Sequence, residues 1–190
     1  MAAPRIGYWI PGIVGGPVLV ANSESAAIVV SHLEVFPDGI EMPIAVYVRE
    51  PEAFEEQVSD REPDRRWVMR TRPWRLDFFA RFGIAFTVDF PDGTRLSVDE
   101  PYVPTPEPSK PPRDAARAGI DRGSGFGNGG HHQTHLFLWP LPGPGVLRLT
   151  CAWPDQQIVE TAADLDGATI NQAAARSTSA WRDDVRRLEL

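Results

Sequence analysis

The segment AAIVVSHLEVFPDGIEMPIAVYV, residues 26–48, decides the fold. Its first half is rich in β-branched residues (Ile28, Val29, Val30, Val35). Branching at Cβ restricts χ1 and suits a pleated chain better than a helix. Pro37-Asp38-Gly39 follows and reads as a turn. Proline pre-sets φ, aspartate bonds its own backbone, and glycine is expected to take positive φ. From Met42 to Val48 the chain alternates, with Met42, Ile44, Val46 and Val48 on one side and Ala45 and Tyr47 on the other. A period of two predicts a half-buried strand. Pro43 inside it predicts an edge position or the strand's first residues.

The same arrangement returns further on. Ile84, Phe86, Val88 and Phe90 alternate with Ala85, Thr87 and Asp89, and Pro91-Asp92-Gly93 turns the chain into Leu96 and Val98. A third hairpin is expected from Leu136–Leu141 through Pro142-Gly143-Pro144-Gly145 to Val146–Trp153, followed by a strand over Ile158–Ala163. With Val18–Ala21 this makes about eight short strands, and serial hairpins predict antiparallel pairing. The expected fold is mostly β: an antiparallel β-sandwich of immunoglobulin-like or jelly-roll type with a C-terminal helix. Asp166 fits the N-cap of that helix. Ile170, Ala174, Ser177, Trp181, Val185 and Leu188 recur at steps of three and four, so the helical segment is expected over about 167–188. Such a helix covers a sheet edge or binds a partner.

A chain of 190 residues fits one domain, here 1–190, and can bury about 70% of the surface its unfolded form exposes. It holds 16 glycines and 19 prolines, enough to imply long irregular stretches. The net charge of −7 makes nucleic-acid binding unexpected, because phosphate backbones are bound by lysine and arginine. Cys151 is the only cysteine, which excludes an intrachain disulfide. The first 22 residues are broken by Pro11, Gly12, Gly15, Gly16 and Pro17, unlike a signal peptide. No apolar run is long enough to span a bilayer, so no membrane partner and a cytoplasmic location are expected.

Two stretches follow neither pattern. A charged insertion occupies about 50–81: seven acids and one base over Glu50–Asp64, then six arginines and one acid over Arg65–Arg81. The region about 100–130 carries six prolines and then a glycine run, and is expected to be a disordered loop. The arginine-rich part interleaves aromatics: Arg65, Arg66, Trp67, Arg70, Arg72, Trp74, Arg75, Phe78 and Phe79. Arginine and tryptophan are enriched at interfaces, so Arg70, Arg72, Trp74 and Arg75 are candidate interaction residues. The competing expectation is a strand over Trp67–Thr71, with Trp74, Phe78 and Phe79 packed on the core.

His131, His132 and His135 are the candidate metal ligands. In a strand, His131 and His135 share a face but lie about 13 Å apart at 3.4 Å per residue. Zinc needs each ligand at about 2 Å, so only a loop or a ligand from elsewhere would complete a site. Gly123–Gly130 resembles a phosphate loop, but a strand rather than a helix follows it and the Walker lysine is missing. No Gly-x-Ser-x-Gly elbow occurs. Cys151 sits mid-strand on an apolar face, where a thiol acts as a small hydrophobe, and His32 also falls within a strand. Neither this pair nor the adjacent acids Glu55-Glu56 and Asp183-Asp184 form a supported catalytic set. No catalytic residue and no cofactor are expected.

The motifs Leu138-Trp139-Pro140-Leu141-Pro142-Gly143-Pro144-Gly145, Cys151-Ala152-Trp153-Pro154, Leu165-Asp166-Gly167-Ala168, Ala173-Ala174-Ala175-Arg176 and Phe36-Pro37-Asp38-Gly39 resemble those of small uncharacterised proteins of high-GC actinobacteria. These are turn and core positions, so the resemblance implies kinship and assigns no activity. The expected function is therefore a non-enzymatic protein–protein interaction module with an unknown protein partner. The alternative is a metal-binding protein or metal-dependent enzyme built on His131, His132 and His135.

Overall fold

The computed structural model describes residues 9–61, 79, 82–98, 119–122 and 126–181. The strands, in chain order, are β1 (Trp9–Ile10), β2 (Gly12–Val14), β3 (Val18–Asn22), β4 (Ala26–Val30), β5 (Leu33–Phe36) and β6 (Gly39–Val48). After helix α1 (Pro51–Arg61) come β7 (Ala85–Asp89), β8 (Arg95–Ser97), β9 (Gly119–Arg122), β10 (Phe126–Asn128), β11 (His131–Trp139), β12 (Val146–Trp153) and β13 (Ile158–Asp166). Helix α2 (Gly167–Ala174) and β14 (Thr178–Ser179) follow.

Among the described residues all pairing is antiparallel, as serial hairpins predict. The larger sheet has eight strands among the described residues, with β6 at its centre. On one side β6 pairs with β11, which pairs in turn with β9 and β10; on the other it pairs with β4 and β5, which carry β3 and β2. The smaller sheet runs β13-β12-β7-β8, and β1 pairs with β14 in a separate ribbon. Among the described residues neither of the two larger sheets closes on itself.

The alternation read from the sequence sets the buried faces. Ile28, Val30, Ile44, Val46, Leu136 and Leu138 of the larger sheet join Phe86, Val88, Leu147, Leu149, Cys151 and Trp153 of the smaller in one apolar cluster. The sheets also meet at a bulge in β3, where the Thr161 hydroxyl donates to the Val20 carbonyl (3.0 Å).

Several expectations need correction. Pro43 lies in the central strand, not at an edge or a strand start. Val30 pairs with Ile44 and Glu34 with Glu41, so Ser31, His32 and Leu33 oppose only Met42 and Pro43. This is a β-bulge, a site that accepts proline inside a sheet. The Pro43 carbonyl accepts from the Ser31 N–H (3.0 Å), and the N–H that proline lacks would face the same bulged segment. His32 accordingly sits in the bulge rather than in a strand.

The twin Phe-Pro-Asp-Gly turns also differ. Gly93 has the expected positive φ (87°), and Asp92 Oδ1 accepts from the Thr94 N–H (2.9 Å). Gly39 does not have positive φ; a Cβ there would lie 2.5 Å from the Leu138 carbonyl oxygen and from the Phe137 ring. Close approach, not turn geometry, requires that glycine.

The third hairpin does not form. β11 and β12 belong to different sheets, because both edges of β11 are taken by β6 and β9/β10, and both edges of β12 by β7 and β13. The segment between them crosses from one sheet to the other. The loop placed over about 100–130 contains β9 and β10, whose backbone groups complete the free edge of β11; residues 99–118 and 123–125 lie outside the described ones. The charged insertion begins with α1, which buries Phe54 against Phe82 (5.1 Å) and Trp153 (5.7 Å).

The C-terminal helix is shorter than the 167–188 expected. Asp166 caps it as read, accepting from the Ala168 and Thr169 N–H groups (3.1 Å each). It ends at Ala174, and Thr178–Ser179 turns into a strand on β1. Its buried face is Gly167, Ile170 and Ala173, pressed on Gly12, where a Cβ would collide with the Ala173 carbonyl. Trp181 is exposed, and residues 182–190 lie outside the described ones. Among the described residues no helix is long and apolar enough to cross a membrane.

Candidate functional site

Each sheet turns one face away from the shared core, and the two outer faces differ in chemistry. On the larger sheet, the register places Leu19, Val29, Ala45 and Gln133 in one row and Asn22, Ala27, Tyr47 and His131 in the next. A third row holds Ile13, Glu34, Glu41 and Phe137, and between these Pro43 has His135 on one side and the bulged segment that carries His32 on the other.

Two imidazole–carboxylate pairs form on this face. His135 Nδ1 and Glu41 Oε1 are 2.9 Å apart, and His32 Nε2 and Glu34 Oε1 are 3.2 Å apart. Glu34 and Glu41 are direct cross-strand partners, a placement in which like charges repel, and each turns to its own histidine. None of β2 to β6 or β11 contains a lysine or arginine. The Tyr47 and His131 rings stack at 4.7 Å and 13°. Ile13 (47% exposed), Leu19 (55%) and Tyr47 (46%) stand open to solvent on the same face.

The histidine triplet is divided by the strand. His131 and His135 point outward with different partners, while His132 lies on the inner side, its ring 5.0 Å from Phe82 and 5.9 Å from Phe54. Alternation of side chains across a strand makes this split unavoidable. Among the described residues no group of three histidine, cysteine or acidic side chains converges as a metal site would require. Arg70, Arg72, Trp74 and Arg75 lie outside the described residues; Phe79 is fully buried in the core. Cys151 is also fully buried, and burial alone pushes its thiol up to about 12. It belongs to the packing of the core, as its strand position suggested.

On the smaller sheet the outer face is a charge ladder. Across β8, β7, β12 and β13 the register aligns Arg95, Asp89, Arg148 and Asp164. Arg148 grips Asp164 through Nε (2.7 Å) and Nη2 (2.9 Å), and Arg95 grips Asp89 in the same two-pronged way. Such forked contacts match guanidinium to carboxylate geometry. The Arg95 hydrogen bond holds Asp89 below the usual carboxylate range, with Arg148 adding its charge; Arg148 does the same for Asp164. The next rows are short: Ser97, Thr87, Thr150 and Ala162, then Ala85 and Ala152.

The glutamate partners of the histidines and the ladder were not legible in the sequence, because both depend on register. The outward alternation of Asp89 and Arg148 in their strands was the only available signal. No family model, curated protein or solved structure matches the chain.

Proposed function

We propose that this chain is a two-layer β-sandwich, of the immunoglobulin-like or jelly-roll kind, that works by binding another protein through the outer face of its larger sheet. The observation that carries the reading is that Ile13, Leu19 and Tyr47, each about half exposed, stand on one sheet face that also holds the hydrogen-bonded histidine–glutamate pairs. The Tyr47–His131 stack offers a rigid aromatic contact with few rotors to freeze. The outer face of the smaller sheet instead pairs its own charges across its centre, with Val146 and Val159 open at its ends.

Tyr47→Ala combined with Leu19→Ser tests the reading by quantitative affinity capture against the unaltered chain. Partners bound through this face drop by roughly tenfold or more, the scale of losing one or two well-packed contacts. Recovery of the same proteins in the same amounts from a folded double variant removes this face from the proposal.

A further inference from the structure

The outer face of the smaller sheet has a symmetry property that follows from its register. Read across the sheet, Arg95, Asp89, Arg148 and Asp164 alternate plus, minus, plus, minus. A two-fold axis parallel to the strands reverses the order of the row in a facing copy. Arg95 then meets Asp164 of the second copy, and Asp89 meets its Arg148. We propose that this face docks on the same face of a second copy of the chain, giving a reversible two-fold dimer.

Three further features suit that occupant. The neighbouring row Ser97-Thr87-Thr150-Ala162 and the pair Ala85-Ala152 carry short side chains, with the long, charged Glu160 confined to the β13 bulge at the rim, so the centres of two such faces can approach to the roughly 10 Å of packed sheets. Apolar groups stand open at both ends of the patch: Val146 (48% exposed) at one, and Val159 (80%) at the bulge where β13 opposes Ala152. An isologous contact needs self-complementarity, which an alternating row of four charges has and a plus-minus-minus-plus row lacks. With strands about 4.8 Å apart and about 3.4 Å per residue, the patch covers roughly 450 Å² per copy. That lies at the low end for specific interfaces, so association is weak, concentration-dependent and favoured by low salt.

Sedimentation velocity of the full chain, at rising concentration in low and high salt, tests the idea with three ladder charge patterns and one Thr150→Lys variant. The unaltered chain associates, and added salt weakens it. Exchanging only Arg148→Asp and Asp164→Arg keeps that intrachain pair but sets like on like across the axis, weakening association by roughly a factor of ten or more. Reversing all four (Arg95→Asp, Asp89→Arg, Arg148→Asp, Asp164→Arg) restores the alternation and the dimer. Mixed with the unaltered chain, the fully reversed one forms no mixed dimer. Thr150→Lys, which raises a long side chain from the flat row without touching the ladder, also abolishes association. A monomer at every concentration overturns the proposal, as does undiminished association of the half-exchanged or the Thr150→Lys chain.

Discussion

Gly39 and Leu138 meet backbone to backbone: a Cβ on the glycine would stand 2.5 Å from the leucine's carbonyl oxygen. Among the described residues nothing lies within 4 Å of the same construction at Gly93, although both glycines end the same Phe-Pro-Asp-Gly words. Gly93 is there for its φ of 87° instead.

Asparagine separates the two causes, because it tolerates the left-handed region but still brings a Cβ. Gly93→Asn is expected to cost less than about 1 kcal/mol. Gly39→Asn forces β6 away from β11 and is expected to cost about 2–3 kcal/mol, the upper range for overpacking. Urea unfolding of the two variants checks the order; equal costs contradict it.

Trp153 is fully buried and its indole N–H has no acceptor among the described residues. An unmatched buried donor costs about 1–3 kcal/mol, and phenylalanine removes that cost while keeping most of the ring contact with Phe54. Trp153→Phe is therefore expected to lose less than about 2 kcal/mol, against about 3–5 kcal/mol for Trp153→Ala. Chemical denaturation curves with unchanged slopes give both numbers.

Acid weakens the ladder in a direction fixed by its carboxylates. Asp89 and Asp164 are held below their unfolded values, so their stabilising contribution is complete above the unfolded pKa of about 3.9. It is lost as pH falls through the lower folded values. A chain with Asp89→Asn and Asp164→Asn is expected to show a flatter fall in thermal midpoint over that acid range. An unchanged acid limb refutes the assignment.

The thiol of Cys151 acts in the opposite sense. Raised to about 12 by burial, it keeps its proton in the folded chain while an unfolded thiol ionises above about 8.5. Stability therefore drops with rising pH in that interval, and Cys151→Ala removes this component. Thiol reagents at mildly alkaline pH are expected to label the folded protein only as fast as it opens. Labelling at the rate of a free peptide thiol would place Cys151 at the surface.

The amino-acid order alone specified strands with one buried face, antiparallel pairing, the Asp166 cap and the buried position of Cys151. These rest on interactions between near neighbours: period-two burial, turn chemistry and a capping side chain. It left open which strands share a sheet. Leu136–Leu141 and Val146–Trp153 carry every local mark of a hairpin, yet they do not pair with each other: the first lies between β6 and β9, the second between β7 and β13, since a strand edge binds whichever backbone reaches it. Alternation already set His131 and His135 on one face of their strand; tertiary pairing decided that this face looks outward and gave the two rings Tyr47 and Glu41 as neighbours. Register, which only the assembled sheets fix, made partners of Arg95, Asp89, Arg148 and Asp164 across four strands. Side-chain periodicity is a property of a segment, whereas the neighbours of that segment are a property of the whole fold.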